Sequence, residues 1–226
     1  MNQFHDKKTD GFVVDDRLRH RALKITLITA VVWLSVIVAS MALISHYSNS
    51  PGRTGAIPVC WSAESQIQLD TNRPTLIMFA HPRCPCTRAS LGELGQLMAD
   101  CQGRLSAQVW FIKPAGTVED WTNTDLWCKA AAIPGVTVHC DTANVESRRF
   151  HAETSGQTVL YDQNGRLLFQ GGITISRGHA GDNPGRSAVE TLLEQKHADQ
   201  IQAPVFGCAL FETQCQQEQG GVVWKQ

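Results

Sequence analysis

Positions 25–44 read ITLITAVVWLSVIVASMALI, apolar or small throughout and without a charge. Wound as a helix at about 1.5 Å per residue, that run is as long as the hydrocarbon core of a bilayer is thick. It predicts a transmembrane helix over 25–45. A buried helix of a soluble domain normally keeps a polar side, and the apolar part of a cleaved signal peptide is shorter. Downstream the pattern changes to short apolar runs separated by amphipathic stretches. Residues 74–81 form a β-branched and aromatic run suited to a strand covered on both faces. Leu91, Leu94, Leu97, Met98 and Cys101 then recur at helical spacing and place one stripe on a helix over 86–101.

The same reading predicts strands over 107–113 and 137–141, and helices over 124–133 and 144–152. A hairpin follows, in which 158–162 and 166–170 are joined through Asn164-Gly165, residues that readily supply the positive φ angles of tight turns. Asn183-Pro184 opens a last helix to about 196, with Pro where its missing N–H costs nothing. Early alternation of strands and helices implies parallel crossovers, and the hairpin supplies an antiparallel edge. The tail beyond 202 carries no pattern that assigns it an element.

Charge changes the picture at the N-terminus. Lys7, Lys8, Arg17, Arg19, Arg21 and Lys24 precede the apolar run and Arg53 alone follows it closely, an asymmetry that keeps the N-terminus in the cytoplasm. The domain beyond the span is therefore expected outside the cytoplasm, on the periplasmic side if the cell is bacterial, with the helix as a signal anchor. The formal net charge of -1 offers no basic stripe for a phosphate backbone, so nucleic-acid binding is not expected. All eight cysteines, Cys60, Cys84, Cys86, Cys101, Cys128, Cys140, Cys208 and Cys215, lie after the span, where an oxidising compartment permits disulfides. Their spacing leaves the connectivity open.

The chemistry concentrates at Cys84-Pro85-Cys86, between the first strand and the first amphipathic helix. Unsatisfied backbone N–H groups and the helix dipole favour a thiolate there. Cys84 is expected to be the attacking sulfur, with the lower pKa and the greater exposure of the pair. Cys86 is expected to resolve the mixed disulfide, and Pro85 to stiffen the turn. His81 and His179 are auxiliary candidates as donors to a thiolate. Cys208 is expected to pair in a structural disulfide, with a third redox thiol or a buried apolar residue as its alternative roles.

The segments RPTLIMFAHPRCPCTRASLGEL, TSGQTVLYDQNGRLLFQGGIT, RGHAGDNPGRSA and VFGCALF resemble the thioredoxin superfamily, in particular membrane-anchored RedB-type thioredoxin-like proteins. The resemblance implies an α/β thioredoxin-like fold, a central mixed sheet flanked by helices, preceded by one transmembrane helix. With the charge and hydropathy pattern above, the expected organisation is a cytoplasmic segment 1–24, a transmembrane helix 25–45, a linker 46–56, and a thioredoxin-like domain with a C-terminal extension, 57–226. The resemblance also implies a redox-active disulfide at Cys84 and Cys86 that acts on thiol or disulfide proteins without an organic cofactor or a metal. Two departures stand out. The spacer between the cysteines is one residue instead of two. Gln157 occupies the place of the family's cis-proline, so a trans peptide and an altered substrate-binding edge are expected there.

A different class competes with the oxidoreductase. Two thiolates near a histidine suit Cu(I), and SCO-like copper chaperones share the thioredoxin-like fold. The expected topology is checked by a reporter fused after Gln226. Activity outside the cytoplasm is the expected outcome, and activity confined to the cytoplasm would overturn both the orientation and the redox argument.

Overall fold

The computed structural model describes residues 16–195, 197–198 and 201–211. The chain divides into two units, Met1–His46 and Tyr47–Gln226. Lys7, Lys8, Cys215 and most of the expected C-terminal extension lie outside the described residues.

The apolar run lies within α1, Asp16–Asn49, which extends it at both ends; residues 46–49, read from sequence as the start of a polar linker, continue the helix. The stretch Arg19–Asn49 is long and apolar enough to cross a membrane. Its large side chains, Leu27, Val31, Trp33 and Leu43 among them, are exposed, which in water would leave an apolar surface with no compensating cover. Its hydroxyls are satisfied within the helix. Thr26, Thr29, Ser35 and Ser40 donate to the carbonyls of Ala22, Ile25, Val31 and Val36, one turn back. That arrangement suits a medium with no water to hydrogen-bond them.

The second unit is built on a five-stranded sheet in the order β3-β2-β1-β4-β5. Its strands are β1 (Thr75–Ala80), β2 (Ser106–Lys113), β3 (Val136–Thr142), β4 (Gln157–Tyr161) and β5 (Leu167–Gly171). Strands β1, β2 and β3 run parallel, and β4 and β5 are antiparallel to their neighbours. The helices are α2 (Thr87–Cys101), α3 (Asp125–Ala131), α4 (Val145–Arg149) and α5 (Pro184–Gln195). This mixed sheet with flanking helices is the thioredoxin-like fold.

Strand β1 is central and wholly buried, and its side chains alternate between two cores as the pleat requires. Leu76, Met78 and Ala80 face a core with the Leu91, Leu94, Leu97, Met98 and Cys101 stripe of α2 and with Val189 and Leu192 of α5. Ile77 and Phe79 face a second core with Ile57, Ile67, Phe150, Tyr161 and Leu210. In that second core Trp61 meets Phe150 and Tyr161 edge-on, at centroid distances of 5.4 and 5.1 Å.

Two carboxylates pin loops to this frame. Glu93, on the inner face of α2, accepts from the Gly181 N–H at 2.6 Å and pairs with Arg186 at 3.1 Å. Glu146 accepts from the Ser65 hydroxyl at 2.6 Å and pairs with Arg149. Asn183 caps α5 by accepting the Arg186 N–H at 2.8 Å, with Pro184 at the first helical position.

The hairpin differs in detail from its sequence reading. Only Gly165 takes a positive φ, 75°, while Asp162 Oδ1 accepts the N–H groups of Asn164 and Arg166. The connection is thus a three-residue loop closed by the Asp162 carboxylate and Gly165.

Leu94 is fully buried where α2 meets the sheet, so Leu94→Ala should destabilise the domain by about 2–5 kcal/mol through lost burial and a residual cavity. Thermal unfolding of the full chain in detergent, followed by tryptophan fluorescence, checks this. An unchanged midpoint would show that the α2 stripe is not a core contact.

Candidate functional site

The site lies at the carboxyl ends of the parallel strands, where the chain leaves β1 and turns into α2. Residues 81–89 are wound tightly. The Cys84 N–H donates to His81 O at 3.2 Å, the Thr87 N–H to Cys84 O at 3.1 Å, and the Ala89 N–H to Cys86 O at 3.1 Å. Cys86 has helical angles at the N-cap of α2. The two cysteines therefore sit at the mouth of a helix whose first N–H groups have no partner within the helix.

The loop preceding β4 closes the site from the other side. The Gly156 N–H donates to Phe79 O at 2.8 Å and prolongs the pairing of β1 with β4. Ser155, fully buried, then ties three segments together. Its Oγ accepts the His81 N–H at 2.8 Å, lies 2.7 Å from the Thr87 hydroxyl, and its own N–H donates to Cys208 O at 2.8 Å.

That last bond brings in the tail. Thr154 and Ala209 form an antiparallel bridge, and the Leu210 N–H donates to Glu153 O at 2.8 Å. Close approach here demands glycine at 207, because a Cβ on Gly207 would lie 2.0 Å from Ser155 O. Arg177 donates from Nη1 to Gly207 O and from Nε to Ser50 O, the latter at 3.1 Å. As a result the Cys208 Sγ stands 2.9 Å from Cys84 Sγ, and the Cys208 N–H points at the same sulfur from 3.4 Å. The sulfurs of Cys84, Cys86 and Cys208 all lie within 4.8 Å of one another.

The electrostatics separate the three thiols. Burial works against a Cys84 thiolate, but hydrogen bonds from the Cys208 thiol and N–H, and from the Thr87 hydroxyl and N–H, outweigh it and hold its pKa below the ordinary thiol value. Cys208 is pushed up to about 12, by burial first and then by donating to Cys84 and lying against its charge. Cys86 is raised by burial and by the neighbouring Cys84, with Arg177 acting in the opposite sense.

Several sequence expectations change. Cys84 is only 1% exposed and Cys86 is the more accessible of the pair, so the expected order of exposure is reversed while the expected low pKa of Cys84 holds. Cys208 does not pair in a structural disulfide. It is a free thiol packed against Cys84, brought there by a tail to which the sequence assigned no element. Neither histidine joins the sulfur cluster. His81 Nδ1 accepts the Arg83 N–H at 3.1 Å, and burial lowers its pKa, with Arg83 adding to the effect. His179 is exposed, and its Nδ1 donates to Arg177 O at 2.8 Å.

Pro85 is exposed at the turn. Gln157 begins β4 with a trans peptide and a buried side chain whose Oε1 accepts the Glu153 N–H at 3.1 Å, so it braces the 153–157 loop from within. Thr87, Ser155 and Arg177 escape a sequence reading, since a hydroxyl or guanidinium reveals nothing until the fold gives it a partner. The remaining described cysteines, Cys60, Cys101, Cys128 and Cys140, are free thiols too, and burial raises the pKa of Cys101.

No protein-family model matches the chain, and no curated protein matches it. Among solved structures it is similar to a hypothetical protein, SMc02350, from Sinorhizobium meliloti 1021, at 21% identity and a TM-score of 0.52, over 72% of this chain and 96% of that one. An uncharacterized conserved protein from Geobacillus kaustophilus is similar at 16% identity and a TM-score of 0.52, over 72% of this chain and 92% of that one. The pneumococcal exposed lipoprotein thioredoxin Etrx1 from Streptococcus pneumoniae strain TIGR4 matches at 14% identity and a TM-score of 0.41, over 55% of this chain and 86% of that one. At such identities the first two bear on the fold alone.

The hydrogen bonds at Cys84 set an order of titration. In the reduced chain, alkylation of Cys84 should rise with pH through a midpoint below that of a free thiol, with Cys86 and Cys208 following at higher pH. Peptide mass mapping after alkylation across a pH series reads the three midpoints. A Cys84 midpoint above that of Cys86 would remove the basis for calling Cys84 the thiolate.

Proposed function

We propose that this chain is a membrane-anchored thiol–disulfide oxidoreductase, held by α1 with its thioredoxin-like domain outside the cytoplasm and using Cys84 of the CxC motif as its nucleophile. The observation that carries the reading is the Cys208 segment against Cys84, with its N–H donating to Cys84 Sγ at 3.4 Å and its own sulfur 2.9 Å away. A buried thiol is ordinarily driven toward its neutral form, yet here the Cys208 N–H donates to the sulfur and the Cys208 and Thr87 groups around it lower its pKa. A purely structural cysteine has no use for that arrangement; an attacking one does. The exchange runs on sulfur alone, by attack of the thiolate on a disulfide and resolution by a second thiol. Partners are thiol or disulfide proteins outside the cytoplasm, met at raised local concentration because the domain is tethered to the membrane.

One observation favours a second reading. Three sulfurs within 4.8 Å of one another form a soft donor set suited to Cu(I), as a copper chaperone of the SCO-like class would need. Here the metal would be cargo, held by Cys84, Cys86 and Cys208.

Reduction of a model protein disulfide by the full chain in detergent separates the two. Cys84→Ser should abolish it, whereas Cys60→Ser, at an exposed thiol, should leave it unchanged. Full activity in Cys84→Ser would overturn the oxidoreductase reading. Stoichiometric Cu(I) binding by a wild-type chain that reduces no disulfide would establish the copper reading in its place.

A further inference from the structure

Cys84 has two thiols within reach, and the backbone treats them differently. Cys86 lies two residues along a hydrogen-bonded turn that continues into α2, with its sulfur within 4.8 Å of Cys84 Sγ. Cys208 arrives from a separate segment whose side chain and N–H are both directed at Cys84 Sγ, and an approach of less than about 1 Å from the observed 2.9 Å brings the two sulfurs to a bonding distance of about 2.05 Å. The segment is held in register by its backbone bonds to Glu153 and Ser155 and by Arg177 on Gly207 O. The glycine at 207, where a Cβ would strike Ser155 O, makes that approach possible.

We propose that Cys208, and not Cys86, is the thiol that pairs with Cys84 in the redox cycle, an assignment that rests on the oxidoreductase reading above. Cys84 is buried with Cys208 against it, so release of the 207–210 segment from the 153–155 loop admits a substrate disulfide. The Cys84 thiolate attacks one substrate sulfur, forming a Cys84–substrate disulfide, and the other substrate sulfur leaves as a thiolate that takes up a proton. When the segment returns, Cys208 loses its proton to solvent and attacks Cys84 Sγ. A Cys84–Cys208 disulfide forms, the bond to the substrate breaks, and the second substrate thiolate leaves and is protonated. The substrate disulfide gains two electrons and two protons to become two thiols; Cys84 and Cys208 lose the same two electrons. The reverse sequence oxidises a substrate dithiol. Cys86 stays a thiol throughout.

The full chain in detergent, with metals removed by chelation, is oxidised with excess oxidised glutathione, alkylated and digested without reduction. Mass mapping should find Cys84 joined to Cys208, with Cys86 alkylated. The unaltered chain suffices, so the measurement does not depend on a variant's folding. In parallel, Cys208→Ser should accumulate a mixed disulfide between Cys84 and the substrate and lose turnover, while Cys86→Ser turns over. A dominant Cys84–Cys86 disulfide, or trapping by Cys86→Ser with turnover by Cys208→Ser, overturns the assignment and leaves the oxidoreductase reading standing. If no disulfide forms at Cys84 and Cys84→Ser retains full activity, both fall.

Discussion

Burial of β1 on both faces is the constraint on which the rest depends. Because its side chains alternate between two cores, the strand is fixed in register by hydrophobic contacts on each side at once, and a slip of one residue would exchange the two sets. Its parallel pairing with β2 and antiparallel pairing with β4 then fix where the chain leaves the sheet. Cys84 is four residues beyond the end of β1, and α2 is held against the same core by its leucine stripe. The position of Cys84 is thus decided by packing well away from its sulfur.

The chemistry depends on a smaller polar unit built on that frame. Ser155 spends its hydroxyl on the end of β1 and the start of α2, and its N–H on the tail segment. A buried hydroxyl left without partners would be costly, so its bonds hold strand, helix and tail in one arrangement. Arg177 secures the tail from the opposite side, and Glu93 secures the loop that carries Arg177 by accepting from Gly181 and pairing with Arg186. This chain of contacts runs from the inner face of α2 to Gly207 O and keeps Cys208 beside Cys84.

A buried thiolate and an accessible one solve different problems. Exposure speeds encounter with substrate but leaves the sulfur open to oxidation and to unproductive exchange. At this site Cys84 is buried, and Cys208 packs directly on it with its N–H donating to the sulfur.

What the sequence by itself determined are the features written in local periodicity and spacing. The uncharged apolar run gave α1, the leucine stripe gave α2, the runs of β-branched residues gave the strands, and the Cys84-Pro85-Cys86 motif marked the strand-to-helix junction where the three sulfurs meet. Helix and strand periods are properties of neighbouring residues, so they are legible without the fold. The tertiary structure alone decided which thiol faces Cys84, how deeply Cys84 is buried, and that Thr87, Ser155 and Arg177 serve the site. Cys208 lies 124 residues further along the chain, in an irregular segment with no period to read. Its place is set by backbone bonds to the 153–155 loop and by a glycine that permits close approach, and such long-range pairing leaves no trace in local sequence.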